Sequence, residues 1–253
     1  MAYANVNGTT LYYEDEGTGP ALLFLHGWGT SGRVWGAQLP AFAPDHRVVT
    51  VDWRGCGRSD RPAAGNDIDG VVGDLAELIG TLGLERTVVV GSSIGAAFAV
   101  ELALRHPELV AGVVSVDGSA HWLTLVPDAS DLVDGLRDDR AGTLAGWVPG
   151  WFRPDTSPLL ADWTIRQILD SGVFIDRQFD QALTYDPRPA LPGLRVPVHY
   201  IHGELSHIPV AISRECAELS PGAELRVIAG AAHMPHQERP AAFNAALRDL
   251  LAA

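Results

Sequence analysis

The stretch Arg86-Thr87-Val88-Val89-Val90-Gly91-Ser92-Ser93-Ile94-Gly95-Ala96-Ala97-Phe98 decides the fold. Three β-branched residues, Val88 to Val90, predict a short buried strand. Gly91-Ser92-Ser93-Ile94-Gly95 then fits the pattern G-x-S-x-G with Ser93 at its centre, and small apolar residues open a helix after it. A strand that turns this sharply into a helix has no room for a Cβ two residues before or two residues after the serine. Glycine stands at both places. Ser93 is therefore expected in a strained backbone conformation, its hydroxyl presented at the strand tip with the helix N-terminus behind it.

Outward from this corner the same alternation repeats. Residues 2–16 read as a hairpin around Asn7-Gly8, a favoured two-residue turn. Apolar strands are predicted at 21–25, 47–51, 110–116, 198–201 and 225–228. A short helix is expected over 31–39. Ile68, Val71, Val72, Leu75, Leu78, Ile79 and Leu82 recur at helical spacing and predict an amphipathic helix over 67–83. Pro240 starts a final helix with Phe243, Leu247, Leu250 and Leu251 on one face. Strands separated by helices imply a mainly parallel sheet covered on both faces, with chemistry at the carboxyl ends of its strands. His26, Asp52, Ser93, Asp117, His202 and His233 fall at or just past such ends.

Residues 118–190 break the alternation. They hold Trp122, Trp147, Trp151 and Trp163, four of the seven tryptophans, among several prolines and glycines, with helix-like pieces near 128–138 and 159–170. This segment reads as a helical cap inserted into a core made of 1–117 and 191–253, its inner face serving both as core and as pocket wall.

The chain has 253 residues, 47% of them hydrophobic, and a net charge of −13. Such a surface repels phosphate backbones and anionic lipid, so neither nucleic acid nor a membrane is an expected partner. No apolar run reaches transmembrane length and no signal-like start is present, so a cytoplasmic monomer or homodimer acting on a small molecule is expected. Two cysteines, Cys56 and Cys216, are too few for a disulfide framework or a cysteine metal site. No Cys/His cluster has metal-ligand spacing and no phosphate-binding glycine loop opens a helix, so no metal or other cofactor is expected. Cys56, between two glycines, fills a tight turn.

A serine hydroxyl needs a base. Of nine histidines, His233 is the best placed, in Gly230-Ala231-Ala232-His233-Met234-Pro235, a loop between the last strand and the last helix. His202, His207 and His236 are its rivals. The base in turn needs an acid to hold its tautomer. An aspartate is expected where Ser206 stands, in Gly203-Glu204-Leu205-Ser206. Asp117, at the tip of the strand after the serine corner, is the natural replacement, with Glu204 the alternative acid. Donors for a developing oxyanion would be the backbone amides of Ile94, at the helix start, and Trp28, in His26-Gly27-Trp28-Gly29. His26 shapes that loop and, with the four tryptophans, is a candidate pocket residue.

With these residues in place the chain resembles the α/β-hydrolase superfamily over nearly its whole length. The resemblance rests on His26-Gly27-Trp28-Gly29, Asp52-Trp53-Arg54-Gly55-Cys56-Gly57-Arg58-Ser59, Gly91 to Gly95, and Gly230 to His233. It implies an eight-stranded sheet, a cap between the sixth and seventh strands, a Ser93/His233 pair and an oxyanion hole from Trp28 and Ile94. An acid after the sixth strand is similar to the arrangement in some lactonases and esterases, and in the cofactor-independent dioxygenases that cleave hydroxylated quinolones. Haloalkane dehalogenases share the acid position but use an aspartate nucleophile, which Ser93 excludes. The expected activity is hydrolysis of a small to medium, apolar or aromatic carboxylic ester or lactone through an acyl-enzyme on Ser93. The alternative is the dioxygenase, with His233 and Asp117 deprotonating the heteroaromatic substrate; that group often carries histidine where this chain has Ile94.

Overall fold

The computed structural model describes residues 1–118, 130–178, 181 and 184–252. Its centre is one eight-stranded sheet in the order β1-β2-β4-β3-β5-β6-β7-β8. The strands are β1 (Ala2–Val6), β2 (Thr9–Glu16), β3 (Ala21–Leu25), β4 (Arg47–Asp52), β5 (Thr87–Ser92), β6 (Val110–Val116), β7 (Val198–Gly203) and β8 (Leu225–Ile228). β2 runs antiparallel to both β1 and β4, and every other pair is parallel. This is the α/β-hydrolase fold that the sequence motifs imply.

The parallel strands are apolar on both faces because both are covered. Along β3, Leu23 and Leu25 join one buried cluster with Val71, Leu75, Leu78 and Phe98, whereas Leu22 and Phe24 join a second with Trp35, Phe42, Phe243 and Leu247. The alternation of side chains along a strand thus feeds two cores. The first is closed by α2 (Ile68–Thr81) and α3 (Ile94–Arg105); the second by α1 (Leu39–Phe42) and α9 (Pro240–Leu251). α2 starts where Asp67 caps it, accepting from the Gly70 amide at 2.7 Å.

Three differences from the sequence reading have physical causes. No single helix spans 31–39: a 3-10 turn at Gly32–Trp35 gives way to α1, with Pro40 in its first turn. α1 starts at Leu39 and takes Pro40 in its first turn, where a missing amide costs no helical hydrogen bond. Val210–Leu219 forms a helix, α7, where no element was expected, although Ile212, Cys216 and Leu219 are spaced for one face. Between β6 and β7, the helices α4 (Ser130–Asp138) and α6 (Pro158–Asp170) match the two expected pieces, and α5 (Arg140–Trp147) is an addition. α8 (Pro235–Glu238) is a single turn between β8 and α9.

Candidate active site

β5 ends at Ser92 and α3 begins at Ile94, so Ser93 is the whole corner. Its φ is +55°, in the left-handed region that a side chain makes costly. The corner is enforced by crowding. A Cβ on Gly91 would run into the Gly95 carbonyl, and one on Gly95 into the His26 carbonyl. The Ser93 amide donates to the Val116 carbonyl at 2.9 Å, tying the corner to the tip of β6. The Ser93 hydroxyl caps nothing in α3. The loop after β3 passes beside it: a Cβ on Gly27 would lie 3.3 Å from Ser93 Cβ and 3.9 Å from Oγ. Trp28 is the next residue. Ile94 and Gly95 open α3, so their amides have no carbonyl one turn earlier.

His26 supports this loop from beneath. It is wholly buried and stacked on Trp53, with ring centroids 4.9 Å apart. Burial pushes its pKa down to about 3. The neutral ring places Nδ1 2.8 Å from the Gly27 carbonyl, and Nε2 accepts from the Trp53 amide at 3.4 Å.

Asp117 and His233 meet. His233 Nδ1 lies 3.0 Å from Asp117 Oδ1, with both side chains buried. Asp117, like Ser93, has a positive φ, +49°. The Gly203 amide also donates to its carboxylate, at 2.8 Å, as does the Ser206 hydroxyl, at 2.6 Å. Ser206 therefore stands where an aspartate was expected and donates to the carboxylate that has moved to β6. That role was not foreseen, and the only signal for it was the missing acid. Glu204 lies elsewhere: it is exposed and accepts from the Gly230 amide at 2.8 Å.

The rival histidines are held differently, although His202 Nδ1 also comes within 3.9 Å of Asp117 Oδ2. His202 is buried, with Nδ1 2.9 Å from the Ser213 hydroxyl and Nε2 2.9 Å from the Ile208 carbonyl. His236 is buried and stacked on Trp35 at 4.2 Å, with burial pushing its pKa down to about 3. His207 is the neighbour of His233, with ring centroids 4.8 Å apart.

The helices between β6 and β7 bring aromatic rings to this place. Trp151 meets the His233 ring edge-on at 5.9 Å, Trp147 meets Trp151 at 5.0 Å, and Trp28 meets Trp147 at 6.1 Å. These rings form an arc from His233 to the loop beside Ser93. Trp163, on α6, takes the Arg33 guanidinium over its face instead, at 5.5 Å. Trp122 lies outside the described residues. Cys56 is buried in its turn and its thiol pKa is pushed well up, the state of an inert cysteine. Among the described residues no group of three or more histidine, cysteine or acidic side chains could hold a metal ion. No helix of the described residues is long and apolar enough to cross a membrane.

A mostly parallel sheet, a glycine-flanked serine corner and a buried histidine–aspartate pair at the strand tips together define the class. The chain belongs to the alpha/beta hydrolase fold family, whose model matches residues 20–168. It is similar to the AB hydrolase superfamily protein YisY of Bacillus subtilis, 29% identical over 93% of this chain and 92% of that one. Among solved structures it is similar to the enol-lactonase of Burkholderia xenovorans LB400, with a TM-score of 0.91 and 27% identity over 100% of both chains. It is also similar to a bromoperoxidase from Bacillus anthracis, with a TM-score of 0.92 and 25% identity over 100% of this chain and 99% of that one.

Proposed function

We propose that the protein is a serine hydrolase that cleaves a small to medium, apolar or aromatic carboxylic ester or lactone. The observation that carries this reading is the buried 3.0 Å contact between His233 Nδ1 and Asp117, at the strand tip beside the Ser93 corner. A carboxylate on Nδ1 holds the proton there and leaves Nε2 as the basic nitrogen. His233 then takes the Ser93 hydroxyl proton as Oγ attacks the substrate carbonyl. The amides of Ile94 and Trp28 hold the oxyanion, each donor contributing about 3–4 kcal/mol to the transition state. His233 returns the proton to the departing alkoxide, and water activated by the same imidazole releases the acid and frees Ser93.

The segment between β6 and β7 serves in this reading as a cap. Trp147 and Trp151 wall the acyl pocket, which favours planar or apolar groups. The similarity to an enol-lactonase over its full length supports a cyclic ester as one substrate type.

The test is a panel of p-nitrophenyl esters and lactones, with Ser93→Ala as control and a fluorophosphonate probe for the hydroxyl. Turnover should fall by at least about a thousandfold in the variant, and labelling should vanish. Equal turnover in the variant would remove the acyl-enzyme. Oxygen uptake with a hydroxyquinolone, surviving Ser93→Ala, would replace it with the dioxygenase.

A further inference from the structure

We propose that Glu238 is a positioning residue that fastens residues 153–156 to the loop carrying His233, so that the imidazole is aimed only while that segment is seated. The proposal rests on the reading of His233 as the base. Glu238 closes the single turn of α8, five residues after His233. Its carboxylate reaches in two directions. Oε2 accepts from the Ala232 amide at 2.7 Å, immediately before His233. Oε1 accepts from the Arg153 amide at 2.7 Å and from the Thr156 hydroxyl at 2.9 Å. Hydrogen bonds to an ionised acceptor are the stronger kind, so this carboxylate is a strong joint.

A second link lies alongside. The His233 amide donates to the Trp151 carbonyl at 3.0 Å, and the Trp151 ring meets the imidazole edge-on. The base is thus held from three sides: by Asp117 on its ring, by Trp151 on its backbone and ring, and by Glu238 on the peptide before it. Two of those holds reach into the segment between β6 and β7. Movement of that segment would pull on the His233 loop, and misplacing a catalytic group by about 1 Å can cost a hundredfold in rate. Nothing in this arrangement requires Glu238 to touch substrate.

Glu238→Gln keeps the shape but turns one acceptor into a donor facing donors. Turnover of the ester and the rate of fluorophosphonate labelling should both fall about ten- to a hundredfold, with KM within about threefold. Amide exchange at Ala232 and His233 should quicken. Thr156→Val should slow turnover a few-fold alone and add nothing in the Glu238→Gln background, because one joint is being broken twice. Wild-type turnover and labelling in a folded Glu238→Gln protein would overturn the proposal. So would a lowered unfolding temperature with kcat and KM intact. If Glu238→Gln does not fold, Thr156→Val alone decides by the same kcat and KM comparison. If the wild-type protein itself is not labelled at Ser93, the hydrolase reading fails. Exchange at Ala232 and His233 then decides the tie: acceleration in the variant supports it and unchanged rates overturn it.

Discussion

Asp117 is a carboxylate with no exposed surface, at a positive φ. An unpartnered buried carboxylate would be strongly unfavourable, and Asp117 tolerates the position because Gly203, Ser206 and His233 all reach it. Asp117→Asn would set an amide against a backbone donor and release the imidazole tautomer. On the proposed mechanism, a fall in kcat/KM of roughly a thousand- to ten-thousandfold is expected, as when the acid of a Ser-His-Asp triad is lost. Glu204→Gln should stay within about twofold, because that carboxylate is exposed and its bond among the described residues is to a turn amide at Gly230. Steady-state kinetics of the two variants check both, and the reverse order would transfer the role to Glu204. In the sequence Asp117 was preferred from its place after the strand that follows the serine corner, with Glu204 left as the alternative. Each follows a strand end, and nothing in a linear pattern says which one the last loop will meet.

At the scale of elements, the loop 53–66 is secured to α2 by a buried ion pair. Arg54 Nε and Nη2 each reach the Asp74 carboxylate at 2.6 Å, and Nη1 reaches the Gly65 carbonyl at 2.9 Å. Removing one member of such a pair leaves the other charge buried and unpaired. Asp74→Ala should lose about 3–5 kcal/mol in urea unfolding, and replacing Arg54 and Asp74 together with apolar residues of similar volume should recover most of it. The motif containing Arg54 was legible as a chain pattern, but its partner was not. Asp74 lies 20 residues on, and only the rotation of α2 brings it inward. The same holds for the segment around 32–42, where one helix was expected over 31–39 and the chain forms a 3-10 turn at Gly32–Trp35 and then α1.

For the whole molecule, acid is the weak side. His26 and His236 are wholly buried with pKa values pushed down to about 3, while an unfolded histidine titrates near 6.5. Between those values the unfolded chain binds the extra protons, so stability rises with pH across the window and falls as pH drops from about 6.5 toward 3. Burial raises the carboxyl pKa of Asp52 and Asp176, which works in the opposite sense at the acid end. A difference measurement isolates the histidine part. Among the described residues neither His236 ring nitrogen has a hydrogen-bond partner, and the ring packs between Trp35 and Phe243. His236→Phe should therefore raise stability by about 1 kcal/mol at pH 7, and by more at pH 5. Thermal unfolding at the two pH values checks both the sign and the growth of the gap.

What the sequence determined by itself was local: the glycine-flanked corner at Ser93, the strands at 21–25, 110–116 and 225–228, and the amphipathic helix over 67–83 that became α2. Those features follow from backbone sterics and side-chain periodicity, which act over a few residues. What only the tertiary structure decided was who meets whom. His233 and Asp117 are 116 residues apart, Glu238 and Arg153 85, and Trp28 and Trp147 likewise come from distant segments. Those meetings depend on how β6, β7 and β8 lie side by side and where the loops beyond their tips come to rest, which no local preference encodes.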